Sequence, residues 1–378
     1  MNLTRRGIFT SLATAAISNN SHASGQSACP GVDPASGALG QLSPPAIFPT
    51  LAKYRPVPDD WKQLALELVA LFEFGQRDKA AAYQNVSNMD QLSLGFLQWN
   101  HNTLSLYSQL LARPHSNFVE ASPSCLQKGV ETLVKIAAEK MPEKGSPERD
   151  ALNLKALAVI ESWKAEKGDI LPSVRTQLST WLGTVPLVAR QNEIITNLLE
   201  KSLAYADAWH RDIGVRGQQT AKRTFLNFVD LFVFSGGLAG LWVGHVKEFR
   251  GRFNDSLSMM NYIWEWIEGC SKFEFKGTVG KGTEAYTPTH KQLYRRKEIS
   301  IAFPEWKRRV VDKDPRIDDN ALDLIALGFL RALRSTGTNK PGGFHGVYQL
   351  DVLNRRGMIA TGVGVENGNN SLVEIYSL

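Results

Sequence analysis

LVALFEFGQRDKAAAYQNVSNMDQLSLGFLQWN, residues 68–100, decides how the rest of this chain is read. It opens as the end of a helix carrying Glu73 and passes through turn-forming residues carrying Asp90. It closes on Ser93-Leu94-Gly95-Phe96-Leu97-Gln98-Trp99-Asn100, which reads as the opening of the next helix. Two carboxylates on opposite walls of a cleft are the usual equipment for hydrolysing a glycosidic bond. The working expectation is therefore a glycan hydrolase with Glu73 and Asp90 as its catalytic pair.

The helix before Glu73 is well signalled. Pro58, Asp59 and Asp60 mark its start, with an Asp available as N-cap. Trp61, Leu64, Ala65, Leu68, Leu71 and Phe72 recur near helical spacing, and Gly75 stands where a glycine ends a helix. Glu73 thus falls in the last turn, with Ala70, Val69 and Leu66 on its own face. Burial and the carbonyl end of the helix dipole both favour an uncharged acid there, as leaving-group protonation requires. The segment 75–93 has turn and short-hairpin composition, and Gly95 lets the backbone pass close to a neighbour. Ser93, Gln98 and Asn100 offer hydrogen bonds, and Trp99 and Tyr83 offer aromatic faces, which together make a sugar-binding set.

This arrangement, a helix-end Glu, a polar hairpin with Asp and then a small residue–x–Gly–x–x–Gln run, resembles the lysozyme-like superfamily. That group includes goose-type lysozymes, lytic transglycosylases and family 46 chitosanases. Ser93–Gln98 looks like the transglycosylase signature, while the spacing from Glu73 to Asp90 looks more like the chitosanases. The run Gly95-Phe96-Leu97-Gln98-Trp99-Asn100 and the tail DVLNRRGMIATGVGVENG (351–368) also resemble uncharacterised bacterial proteins with a Gly-x-Leu-Gln-Trp-Asn motif. Those proteins carry hairpin glycines where this chain has Met89-Asp90-Gln91-Leu92-Ser93. The resemblance implies a mainly α, α+β lysozyme-like fold with a short β-hairpin at the cleft. It implies Glu73 as general acid, Asp90 orienting water or stabilising the oxocarbenium-like state, and no metal or organic cofactor.

Around this stretch the chain divides into a leader (1–23), a linker (24–58), a catalytic core (59–250) and a C-terminal helical part (251–378) that completes the cleft or forms a second lobe. Thr4-Arg5-Arg6, a short apolar run and Ser21-His22-Ala23 suggest export, by a twin-arginine signal, to the periplasm or beyond. Apolar content of 43% over 378 residues is enough for one large core or two moderate ones. Cys29, Cys125 and Cys270 have no metal-ligand spacing, and which pair closes in an oxidising compartment stays open. Gly277, Gly280 and Gly282 lack phosphate-loop spacing and read as a loop.

Amphipathic helices are expected over 126–140, 148–166, 172–182 and 187–210, with Trp163, Trp181 and Trp209 in the core. The most apolar stretch, 221–248, is broken by Gly236, Gly237, Gly240 and Gly244 and carries Asp230. It reads as a buried central helix rather than a membrane span, with Asp230 structural or at the cleft floor. Another helix is expected over 261–269, and the basic run within 291–316 reads as a solvated helix face or an attraction to an anionic polymer. The net charge is +6, and about +4 once Arg5 and Arg6 leave with the leader. That sign favours peptidoglycan over the polycation chitosan as partner, and the basic residues lack the aromatic interleaving of a nucleic-acid module. Chitosan hydrolysis and non-catalytic wall binding are the alternatives.

Overall fold

A computed structural model describes residues 49–376, apart from 52–53, 76, 89–90, 113–116, 140–141, 144, 167, 215–219, 273–289, 335–344 and 366–370. The leader, most of the linker, Cys29, Asp90 and the glycines at 277, 280 and 282 lie outside the described residues. The described chain is mainly helical. It falls into two compact units, one of residues 76–199 and one of residues up to Gly75 together with those from Glu200 onward. Neither division coincides with the boundary expected at 250. The second unit is discontinuous because α1 (Asp59–Phe74) packs against α8 (Lys222–Phe234), which lies far along the chain.

α1 begins after Pro58, which occupies the N-cap position without a side-chain hydrogen bond. The Asp expected as a cap is not one. Asp59 and Asp60 sit in the first turn, where their charge meets the positive end of the helix dipole. Gly75 closes the helix at φ 72°, its N–H donating to the Leu71 carbonyl at 2.9 Å.

In the 76–199 unit, α2 (Lys79–Tyr83) is capped by Asp78, whose carboxylate accepts from the Ala80 and Ala81 N–H groups. β1 (Val86–Ser87), β2 (Ser93–Leu94) and β3 (Trp99–Asn100) then form an antiparallel sheet, with Val86 opposite Leu94 and Leu94 opposite Trp99. The run 93–100 is therefore a β-hairpin and does not open a helix. Helical structure resumes only in a π-helical turn, Leu106–Leu110, followed by α3 (Asn117–Glu120), α4 (Gln127–Ala138), α5 (Pro147–Ser162), α6 (Pro172–Leu182) and α7 (Val185–Ile213).

Two features turn the chain back at the hairpin. Gly95 and Gln98 take left-handed backbone angles, φ 71° and 52°. Gln191 of α7, fully buried, then terminates three backbone groups. Its Oε1 accepts from the Phe96 N–H at 3.0 Å, and its Nε2 donates to the Tyr83 and Leu182 carbonyls at 3.2 and 3.3 Å. A Cβ on Gly95 would stand 2.5 Å from Gln191 Oε1 and 2.9 Å from the Trp99 ring, so the close neighbours of this glycine are protein atoms. Leu92, Leu94, Trp99, Tyr107, Phe118, Leu133, Trp163 and Trp181 form the core beneath the sheet.

The other unit is built on α8, α9 (Val243–Arg250), α10 (Ser256–Lys272), α11 (His290–Val311), α12 (Asp319–Leu333) and α13 (His345–Thr361), ending in a two-stranded ribbon, β4 (Val363–Val365) with β5 (Leu372–Glu374). α13 is the hub, packing on α8, α10, α11 and α12. A Cβ on Gly357 would come within 2.1 Å of the Trp306 ring, so this glycine sets the approach of α13 to α11. The stretch 221–248 breaks around Gly236, Gly237 and Gly240, whereas Gly244 lies inside α9, and no helix among the described residues is long and apolar enough to cross a membrane. Trp163, Trp181 and Trp209 are all buried. Strap residues before α1 are held by Arg55, which donates twice to Asp207 at 2.9 Å, and by Arg211, which donates to the Thr50 carbonyl.

His210, near the end of α7, caps the start of α8. Its Nε2 accepts from the Ala221 N–H at 3.1 Å and lies 3.3 Å from Thr224 Oγ1, so the ring must be unprotonated at that nitrogen. Burial lowers its pKa against the opposing pull of Asp207 and Asp318. His101 is lowered too, by burial and then by Lys164.

Two expectations follow from this packing. Gly95→Ala combines a left-handed backbone cost of about 1–2 kcal/mol with overpacking against Gln191 and Trp99, and should lower stability by at least about 2 kcal/mol in chemical denaturation. For His210 the folded pKa lies below the unfolded value of about 6.5, so its contribution is complete above that pH and is lost as pH falls through the folded value. Thermal midpoints should decline between about pH 7 and pH 5, and His210→Gln should flatten that decline while leaving the share due to His101.

Candidate functional site

Glu73 emerges from the last turn of α1 with its side chain 19% exposed. The sequence places only apolar residues on its face, but the structure sets a guanidinium against it, so the apolar surroundings expected of an uncharged acid are not found. Arg355 Nη2 donates to Glu73 Oε1 at 2.7 Å. The same arginine donates through Nε and Nη2 to Asp230 Oδ1, at 3.0 and 2.5 Å. Arg356 completes the network. Its Nη1 pairs with Asp230 Oδ2 at 2.5 Å, an ionic contact off the hydrogen-bonding line, and its Nη2 donates to Ser235 Oγ at 2.7 Å. Asp230 comes from the middle of α8 and both arginines from consecutive positions of α13.

This is a buried ionic chain with one end near solvent. The side chains of Arg355, Arg356 and Asp230 are 1%, 0% and 3% exposed, against 19% for Glu73. Burial opposes the charge of Arg355, but Asp230, Glu73 and Asp351 together outweigh it and push its pKa further up. Its guanidinium also lies over the Phe234 ring at 3.9 Å and the Phe72 ring at 4.9 Å, which hold the plane of the group. Asp230, 3% exposed, does not itself reach solvent or a cleft floor, and it positions the arginine that holds Glu73.

The chemical consequence is an anchored carboxyl group. Oε1 of Glu73 is fixed by a rigid donor, while Oε2 has no hydrogen-bond partner among the described residues.

The residues expected to bind sugar lie in the 76–199 unit and divide into two groups. Trp99 and Ser93 are 1% exposed, so neither presents a surface to a ligand. Trp99 is a core residue whose indole N–H donates to Gln109 Oε1 at 3.1 Å. From sequence alone it looks like a platform, because an aromatic beside Gln and Asn reads the same in a strand and in a cleft. Asn100 ties the turn after β3, its Oδ1 accepting from the N–H and hydroxyl of Thr103 at 2.8 and 2.9 Å. Tyr83 donates to Asn192 Oδ1 at 2.5 Å and packs on Phe96. Gln98 is half-buried, and its side chain has no hydrogen-bond partner among the described residues. Asp90 lies outside them.

Arg355 and Arg356 were missed as site residues. A signal was present, since a lone acid inside FLNFVDLFVF and two adjacent cations inside VLNRRGMIA are each too costly to bury alone. A cavity of about 570 Å³ lined by Ile213, Lys247, Arg250, Phe253, Asp319 and Asp323, among others, includes none of the Glu73 network. Among the described residues no three His, Cys, Asp or Glu side chains converge as metal ligands. Cys125 is exposed and carries a free thiol. Compared with protein-family models, with curated proteins and with solved structures, the chain finds no match.

Proposed function

We propose that the protein is an exported glycoside hydrolase of β-1,4-linked amino-sugar polymers, peptidoglycan foremost, with Glu73 as its proton-transferring carboxyl. The observation that carries this reading is the anchoring of Glu73 through one oxygen by a buried arginine that Asp230 holds in turn. A helix-end carboxyl with one oxygen fixed and the other available has the form required of an acid acting on a glycosidic oxygen. The lysozyme-like pattern of residues 73–100 and the leader-like start support the same reading from sequence. The basic net charge favours an anionic wall polymer over chitosan.

In this mechanism Glu73 Oε2 protonates the oxygen of the scissile bond, and the leaving sugar departs as the ring flattens toward an oxocarbenium ion. Arg355 stabilises the carboxylate so formed. Glu73 then recovers a proton from the attacking water, or from a hydroxyl of the same sugar, which yields an anhydro product. Asp90 is the second carboxylate the sequence offers, for orienting water or stabilising the cation.

The test is turnover of purified cell walls and of chitosan, followed by turbidity and by released reducing ends. Glu73→Gln, whose amide oxygen can still accept from Arg355, should lose roughly a hundredfold or more of the parent rate while remaining folded, as checked by its thermal unfolding transition. A variant that keeps most of the rate, or a parent that cleaves neither polymer, overturns the proposal. Asp90→Asn should also lose rate if that residue takes part, and retention of full rate would assign proton recovery to Glu73 alone. Asp230→Asn leaves two buried cations with little compensation and should destabilise the fold by about 3–5 kcal/mol, read by denaturant titration.

A further inference from the structure

α10 carries two tryptophans, two positions apart, and they have different fates. Trp266 is buried against Phe329 in an edge-to-face contact with centroids 5.3 Å apart. Trp264 is only half-buried. It stacks on Phe303 of α11, with centroids 5.7 Å apart and planes at 21°, and lines a groove of about 360 Å³ with Pro304, Lys307, Arg308 and Val311. Those α11 residues are spaced as one stripe of two turns, about 10 Å long. Val311 is 55% exposed.

The rim of this groove is cationic. Arg308 is held in place by Glu305 at 2.8 Å and Asp312 at 2.5 Å. Lys307 makes no ion pair or hydrogen bond among the described residues, so one cation beside the aromatic face is free to meet a ligand. The volume suits one or two sugar rings and is small for a protein interface, which needs on the order of 1,000 Å². A half-exposed indole backed by a second ring, a proline, an exposed valine and an unpaired ammonium is chemistry for the C–H face of a pyranose bearing an acidic group.

We propose that the groove between α10 and α11 is a second glycan subsite, taking an anionic amino-sugar strand with one ring on Trp264 and its carboxylate on Lys307. It includes none of the residues that anchor Glu73, and serves to hold insoluble polymer. The proposal rests on the glycan-hydrolase reading for its choice of ligand, but its test does not require turnover.

The experiment is co-sedimentation of the full chain with purified peptidoglycan sacculi and with neutral chitin, in a Glu73→Gln background so that the polymer stays intact. Trp264→Ala should weaken binding to both polymers by about tenfold. Lys307→Glu, a surface change that disturbs no described contact, should weaken binding to sacculi and spare binding to chitin. Val311→Asp guards against a folding defect at Trp264 and should weaken both. If all three variants bind both polymers as the background does, the subsite is overturned. It is overturned as well if sedimentation velocity shows a dimer that Trp264→Ala dissolves, because the groove then belongs to a second copy of the chain. Failure of hydrolysis, in contrast, is read from the turnover of the parent and leaves these binding results standing.

Discussion

The buried pairing of Asp230 with Arg355 and Arg356 is the constraint on which the larger unit depends. Three charges are taken out of water at the contact of α8 with α13, at a desolvation cost of several kcal/mol per ion before their mutual attraction. Apolar residues could fill that space with equal or greater stability. The ionic arrangement supplies direction instead, because a guanidinium clamped by one carboxylate presents its remaining donors at a fixed angle. Glu73 receives one of those donors, and its orientation is set by residues that never reach the surface.

The helices could be read from the sequence because each carries its own evidence in spacing and punctuation. The expected segment 172–182 matches its observed bounds, and 187–210 falls short by only a few residues at each end. The hairpin at 93–100 could not be read this way. Its apolar run is too short to distinguish a period of two from one of 3.6, and what bends it is a glutamine 95 positions beyond Phe96. The units observed run across the position expected as a boundary at 250, because α8 and α9 before it pack on α12 and α13 after it, which composition along the chain does not reveal.

The site was half legible. Glu73 could be named from a helix end and a glycine, both local features. Its anchor lies 282 positions away, where sequence shows only two cations in an apolar helix. The tryptophans make the same point: in NYIWEWIEG the two indoles are indistinguishable by neighbourhood, yet Trp266 is sealed against Phe329 and Trp264 faces outward beside Lys307. Burial of an aromatic depends on which helix later covers it.

That 282-residue reach between Glu73 and Arg355 has a consequence for biosynthesis. Glu73 emerges from the ribosome 282 residues ahead of Arg355, so the carboxyl has no anchor until α13 has been made and docked. Any nascent or prematurely terminated polypeptide carries the acid without the group that aims it.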